Sequence, residues 1–210
     1  MLYAINRENN EKIEPIPNIK AKCIYCDNDV HSKCGAIKRW HFAHVKFTDC
    51  PSNLKLSDWV LNWKSNFPKE YVDIPYIGKK DSKKYVADVK IENLIIDFQY
   101  APNSWENVLK HATSNPLYIF VIYGYKFNLT NINYNNLEEW QPFNFKTKTE
   151  TQAIWNKIYK PVIIETEKGL IVLDNLKRKG TCKIIKDKLT LVTYLLKKYT
   201  KNQLTLNFNV

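Results

Sequence analysis

Four of the five cysteines fall between positions 23 and 50, and this crowding constrains the fold more than any other feature. The order is Cys23-Ile24-Tyr25-Cys26, then Cys34-Gly35, then Trp40-His41-Phe42-Ala43-His44, then Cys50. Two cysteines separated by two residues form a knuckle that presents both thiolates to one ion, and a second pair of ligands from further along completes a tetrahedron. His44 and Cys50 are the chosen second pair, with His41, His31 and Cys34 as alternatives. The segment has few large aliphatic side chains, so metal binding has to supply its folding energy. Four protein ligands leave no open position for water, which makes the predicted zinc structural. An odd cysteine count, interleaved histidines and no signal peptide at Met1-Leu2-Tyr3-Ala4-Ile5 point to a metal site in a reducing compartment, so a cytoplasmic location is expected.

A second stretch carries chemistry. In Tyr85-Val86-Ala87-Asp88-Val89-Lys90-Ile91-Glu92-Asn93-Leu94-Ile95-Ile96-Asp97-Phe98-Gln99, two runs rich in Val and Ile are parted by the polar turn Lys90 to Asn93, which reads as a hairpin. Side chains alternate along a strand, so Asp97 and Gln99 share a face. If Asp88 faces them across the hairpin, two carboxylates and an amide oxygen converge into an all-oxygen site for a hard cation such as Mg²⁺. Such a cation activates water for phosphodiester hydrolysis. A solvated sheet face presents the same triplet, so the hairpin gains meaning only from its company.

That company is an α/β chain. Leu2 to Ile5 and Ile13 to Ile16 read as a short hairpin turning at Glu8 to Asn10. From Lys55 to Phe67, Leu56, Trp59, Val60, Trp63 and Phe67 recur at helical spacing, with Ser57 or Asn53 as cap and Pro68 as stop. Asp58 and Lys64 lie off that apolar stripe. Ser104 caps a second helix running to about Ala112, and Leu117 to Tyr123 is apolar on both faces, as a central buried strand is. Asn128 to Thr149 reads as a long polar surface excursion. Pro161 to Ile164 and Leu170 to Leu173 form a hairpin around Glu165 to Gly169. The segment from Leu176 to Lys198 has eight basic residues against one acid, Asp187, and Lys177, Arg178 and Lys179 are its candidate phosphate contacts. Its last part, Leu189 to Tyr199, looks helical. The expected fold is a mixed central sheet flanked by helices, with a small metal module in front.

At 210 residues the chain holds one good-sized domain with an appendage, and its formal net charge of +11 favours a polyanionic partner. No apolar run reaches the length of a membrane span. Zinc-deaminase chemistry is not expected, because no H-x-E stands beside a P-C-x-x-C.

The order Cys23-x-x-Cys26, Gly35, His41-Phe42-Ala43-His44, Cys50, Trp59 to Lys64, Ala87-Asp88-Val89 and Ile96-Asp97-Phe98-Gln99 resembles the competence protein CoiA-like nucleases. That resemblance implies a zinc-binding module, residues 1–52, and a restriction-endonuclease-like core of the PD-(D/E)XK type, residues 53–210. It implies a Mg²⁺- or Mn²⁺-dependent endonuclease acting on DNA: Asp88 and Asp97 ligate the ion, Gln99 orients water or helps ligate through its carbonyl oxygen, Lys64 meets the scissile phosphate, and Asp58 is a weaker candidate ligand. The chain departs from the family pattern at Asp97, where Glu is usual, at Val60, where the helix carries His, and at Ala101 and His111, where Ser and Arg are usual. Those departures raise the alternative of a weakened or inactive module that binds nucleic acid or protein without cutting.

Overall fold

Strand-forming sequence sorts into two main sheets in the computed structural model, which describes residues 1–46, 48–50, 57–79, 82–100, 117–124, 128–137, 139–146, 160–173 and 181–200. The N-terminal sheet comprises β1 (Ala4–Asn6), β2 (Lys12–Ile13), β3 (Ala21–Lys22), β4 (Asp29–Lys33) and β5 (His41–His44). Their order is β2-β1-β3-β4-β5 and each pairing is antiparallel. The first hairpin is the expected one, with Ala4 opposite Ile13 and Asn10 at φ 58° in its turn, a conformation Asn tolerates.

Helix α1 (Asp58–Lys64) starts where Ser57 Oγ accepts the Val60 amide at 3.3 Å. It stops short of the Phe67 suggested by periodicity. Ser65 Oγ and Asn66 Nδ2 both donate to the Asn62 carbonyl, at 2.8 and 2.7 Å, and this side-chain bonding competes with further helix.

The remaining strands are β6 (Val72–Ile77), β7 (Lys84–Ile91), β8 (Leu94–Gln99), β9 (Tyr118–Tyr123), β10 (Asn128–Thr130), β11 (Gln141–Pro142), β12 (Asn144–Lys146), β13 (Val162–Thr166), β14 (Gly169–Leu173) and β15 (Thr181–Ile185), followed by helix α2 (Lys188–Thr200). All but β10 and β12, which pair with each other, join one sheet in the order β11-β15-β14-β13-β9-β8-β7-β6. It is mixed: β8, β9 and β13 run parallel, while the strands outside them pair antiparallel. The apolar run of β9 lies at its centre, buried from Tyr118 to Ile122. Gly124 lets β13 approach closely, since a Cβ there would fall 2.2 Å from Ile164 Cγ2.

Two apolar layers flank the sheet. Val60, Leu61 and Trp63 of α1 and Leu191, Val192 and Leu195 of α2 pack on Val89, Ile91, Leu94, Ile96 and Phe98. Ile95, Phe120, Ile164 and Ile171 form the other layer, partly covered by Ile132, Tyr134 and Phe143. The stretch read as a polar excursion is therefore structured: its backbone pairs in β10–β12, and Gln141 Oε1 accepts the Asn133 amide at 2.7 Å. Glu165 is not in the turn but in β13, and the turn is at Glu167 and Lys168. Asp187, the lone acid of the basic segment, caps α2 by accepting the Thr190 amide at 2.8 Å. The helix expected at 104–112, with His111, lies outside the described residues, as does Ala101. No helix among the described residues is long and apolar enough to cross a membrane.

Candidate functional site

Two constellations stand out, one in each sheet. In the first, the ligand atoms of Cys23, Cys26, His44 and Cys50 all lie within 4.8 Å of one another. Strand β5 explains the choice of histidine. Phe42 and His44 share the buried face, whereas His41 points the other way and its Nδ1 donates to the Arg39 carbonyl at 2.9 Å. The knuckle turns through Asp27, at φ 58°, and the Tyr25 amide donates to Cys23 Sγ at 3.3 Å. Tetrahedral zinc with bonds of about 2.3 Å to sulfur and about 2.0 Å to nitrogen sets ligand atoms roughly 3.5–3.8 Å apart. Cys23 Sγ and Cys50 Sγ are 3.8 Å apart, and Cys26 Sγ and His44 Nε2 are 3.3 Å apart. The donor set and its spacing fit zinc. Burial, reinforced by the Cys50 and Cys23 sulfurs, pushes the Cys26 thiol up to about 11, and this thiol is the group a zinc ion would hold as thiolate. Cys34 and His31 are not in the cluster.

The second constellation lies where β7 and β8 part. Their backbone pairing runs from Ile91↔Leu94 to Val89↔Ile96, and beyond it the Phe98 amide donates to Asp88 Oδ2 at 2.9 Å. The strand twists at Asp88, so that Ala87 joins one apolar layer while Val89 and Ile91 join the other. Asp88 thereby reaches both sides. On one side its Oδ1 lies 2.7 Å from Lys64 Nζ. On the other it hydrogen-bonds Asp97. Asp97 Oδ2 also accepts from Gln99 Nε2 at 2.8 Å and from Tyr118 Oη at 3.0 Å.

Lys64 Nζ is also 2.7 Å from Asp73 Oδ1, and the lysine side chain is only 3% exposed. Asp73 sits in β6 opposite Asp88, at φ 52°, and its Oδ2 accepts the Leu2 and Tyr3 amides at 2.9 and 3.4 Å. Burial alone would lower the Lys64 pKa, but the Asp73 and Asp88 carboxylates on either side of it raise it. Burial would raise Asp73, but Lys64 and the Met1 ammonium hold it low. Among the described residues no cation stands beside Asp97. Burial, then the negative charge of Asp88, push it up to about 8. Asp88, Asp97, Gln99 and Lys64 are thus brought together, while Asp58 is exposed in the first turn of α1. Lys177, Arg178 and Lys179 lie outside the described residues.

Three site residues escaped the sequence reading. Asp73 offered one signal, an acid among Val72, Ile74 and Pro75. Tyr118 looked like core. Glu165 anchors α1: its Oε2 accepts both Trp59 Nε1 and Trp63 Nε1, at 2.5 and 2.6 Å, and its Oε1 pairs with Lys188 Nζ at 2.9 Å. The i, i+4 spacing of the two tryptophans aims both indoles at one carboxylate.

No curated protein and no solved structure matches the chain. Residues 6–53, which hold all four residues of the cysteine–histidine cluster, match the family model of the competence protein CoiA, N-terminal domain. It is this N-terminal segment that is similar to the CoiA family; the match does not extend to the large sheet.

Proposed function

We propose that the chain is a divalent-cation-dependent endonuclease of DNA, built from a zinc-stabilised module over residues 1–52 and a restriction-endonuclease-like core of the PD-(D/E)XK type over residues 53–210. The observation that carries this reading is the Asp88–Asp97 carboxylate pair at the parting of β7 and β8. Two carboxylates held this close repel when both ionise, and Mg²⁺ or Mn²⁺ relieves that repulsion; oxygen donors suit both ions. A cation held by Asp88 and Asp97 supplies charge stabilisation for phosphoryl oxygens and a more acidic water. Gln99 commits its amide nitrogen to Asp97, which leaves its carbonyl oxygen to orient the attacking water. Lys64 fixes the Asp88 carboxylate through an ion pair of 2.7 Å. The +11 net charge draws DNA to the surface, with Lys177, Arg178 and Lys179 contacting phosphates, and five cysteines with no disulfide among them fit a reducing, cytoplasmic setting.

The test is incubation of the purified protein with supercoiled plasmid and single-stranded DNA, with Mg²⁺, Mn²⁺ or chelator. Cutting is expected to need added metal and to drop at least about a hundredfold in Asp88→Ala and Asp97→Ala, with folding retained. Unchanged cutting by Asp88→Ala would sink the assignment. A second reading, a module that binds nucleic acid or protein without cutting, is favoured by one observation. Lys64, which the family resemblance assigns to the phosphate, is paired on both sides and buried. That reading expects binding in every variant and cleavage in none.

A further inference from the structure

The described contacts between the cysteine–histidine module and the large sheet share a destination. Lys12 Nζ donates to the Val72 carbonyl, the Leu2 and Tyr3 amides donate to Asp73, and Tyr25 Oη donates to the Lys84 carbonyl at 3.0 Å. Val72 and Asp73 belong to β6 and Lys84 opens β7, the strand of Asp88. Tyr25 lies inside the knuckle, between Cys23 and Cys26, and its own amide bonds Cys23 Sγ. A continuous path therefore runs from the metal ligands to the carboxylate pair. One branch goes through Tyr25 to the start of β7. The other starts in β5, where Phe42, two residues before His44, exchanges backbone hydrogen bonds with Met1, and goes through the Leu2 and Tyr3 amides to Asp73, across Lys64, to Asp88.

Asp73 is the joint of the second branch. Its backbone is held in a left-handed conformation uncommon for a strand residue, and its carboxylate is almost fully buried, which persists only where surroundings over-determine it. Those surroundings are the two module amides and Lys64. If the amides move, Asp73 loses its neutral donors, and Lys64, whose ion-pair partners among the described residues are these two carboxylates, shifts with it. Asp88 then loses the cation that sets its Oδ1, and the Phe98 amide loses its acceptor.

We propose that Asp73 is a positioning residue through which the metal-holding module sets the Asp88 carboxylate, so that zinc occupancy of the module controls the geometry of the carboxylate pair. The consequence for cutting rests on the nuclease reading; the coupling itself does not.

Hydrogen exchange of the full chain loaded with zinc reads the coupling directly, because the Phe98 amide reports the position of Asp88. The comparison is between wild type, the isosteric Asp73→Asn, and wild type after zinc is stripped by a chelator. The expected result, in both perturbed states, is at least about tenfold faster exchange at Phe98 with Val121 and Ile163 of the central strands unchanged. Unaltered Phe98 protection in either state overturns the proposal. Equal loss of protection at Phe98, Val121 and Ile163 on chelation also overturns it, since the module would then hold up the whole fold rather than position one carboxylate. If Asp73→Asn does not fold, the chelated wild type decides alone. Cleavage by wild type is scored separately: a chain that does not cut yet shows the Phe98 effect loses the nuclease reading and keeps the coupling.

Discussion

Asp97 is the residue whose environment makes the sharpest claim. Burial and the neighbouring Asp88 charge push its carboxyl up to about 8, so the folded chain binds a proton there that the unfolded chain releases near pH 4. A folded state that holds the extra proton loses stability as pH rises through that window, and the loss is complete above the folded pKa. Asp97→Asn mimics the protonated form: its amide can still donate toward Asp88 and accept from Gln99 and Tyr118. Urea unfolding of metal-free protein is expected to show wild type losing about 1–3 kcal/mol between pH 5 and pH 8, and Asp97→Asn losing little of it. Added Mg²⁺ should restore wild type at pH 8 and leave the variant where it was. Equal pH slopes in both proteins would remove the case for a strained carboxylate pair. The facing of Asp97 and Gln99 was readable from the sequence because strand alternation alone dictates it. Asp73 was not, since its role depends on a left-handed backbone and on a lysine, Lys64, that is set beside it only by packing of α1 on the sheet.

Elements whose signals are local were legible, and those defined by their neighbours were not. The turn between β7 and β8, the doubly apolar β9, the β13–β14 hairpin and the last helix follow from runs and turns within a few residues of one another. β6 did not stand out because it carries Asp73 and Pro75, and proline is tolerated there because β6 is an edge strand of the large sheet. β15 was hidden in a basic segment, and only its pairing with β14 on one side and β11 on the other makes it a strand. The metal ligands fall between these cases. C-x-x-C is a local signal, but His44 over His41 is decided by β5 alternation, which the four residues His41 to His44 reveal only once they are known to be extended. Competition with a chromogenic zinc chelator checks this: Cys34→Ser and His41→Ala should bind one zinc as tightly as wild type, and Cys26→Ser and His44→Ala at least about a hundredfold more weakly. Tight binding by His44→Ala with loss in His41→Ala would reverse the assignment.

The two sheets are joined so that the module covers an edge. β6 ends the large sheet, and an exposed edge strand is a template for unwanted pairing. Here Lys12 takes the Val72 carbonyl and the Leu2 and Tyr3 amides take Asp73, so module and core fold as neighbours with shared partners. What the molecule presents outward is charge. With 32 Lys and Arg against 21 Asp and Glu, association with DNA should be governed by counterion release, and affinity should fall linearly in a log–log plot against salt. Fluorescence anisotropy with a labelled duplex, using Asp88→Ala so that no cutting intervenes, separates binding from chemistry. Simultaneous Lys177→Ala, Arg178→Ala and Lys179→Ala substitutions are expected to reduce that slope by about 2–3 and to weaken binding to unrelated sequences alike, as loss of phosphate contacts does. An unchanged slope would move the DNA path away from this segment, to the lysines that the structure places around the two sheets. A slope near zero in the parent protein would instead turn the net charge into a matter of composition and favour a protein partner for a chain that holds its carboxylates without cutting.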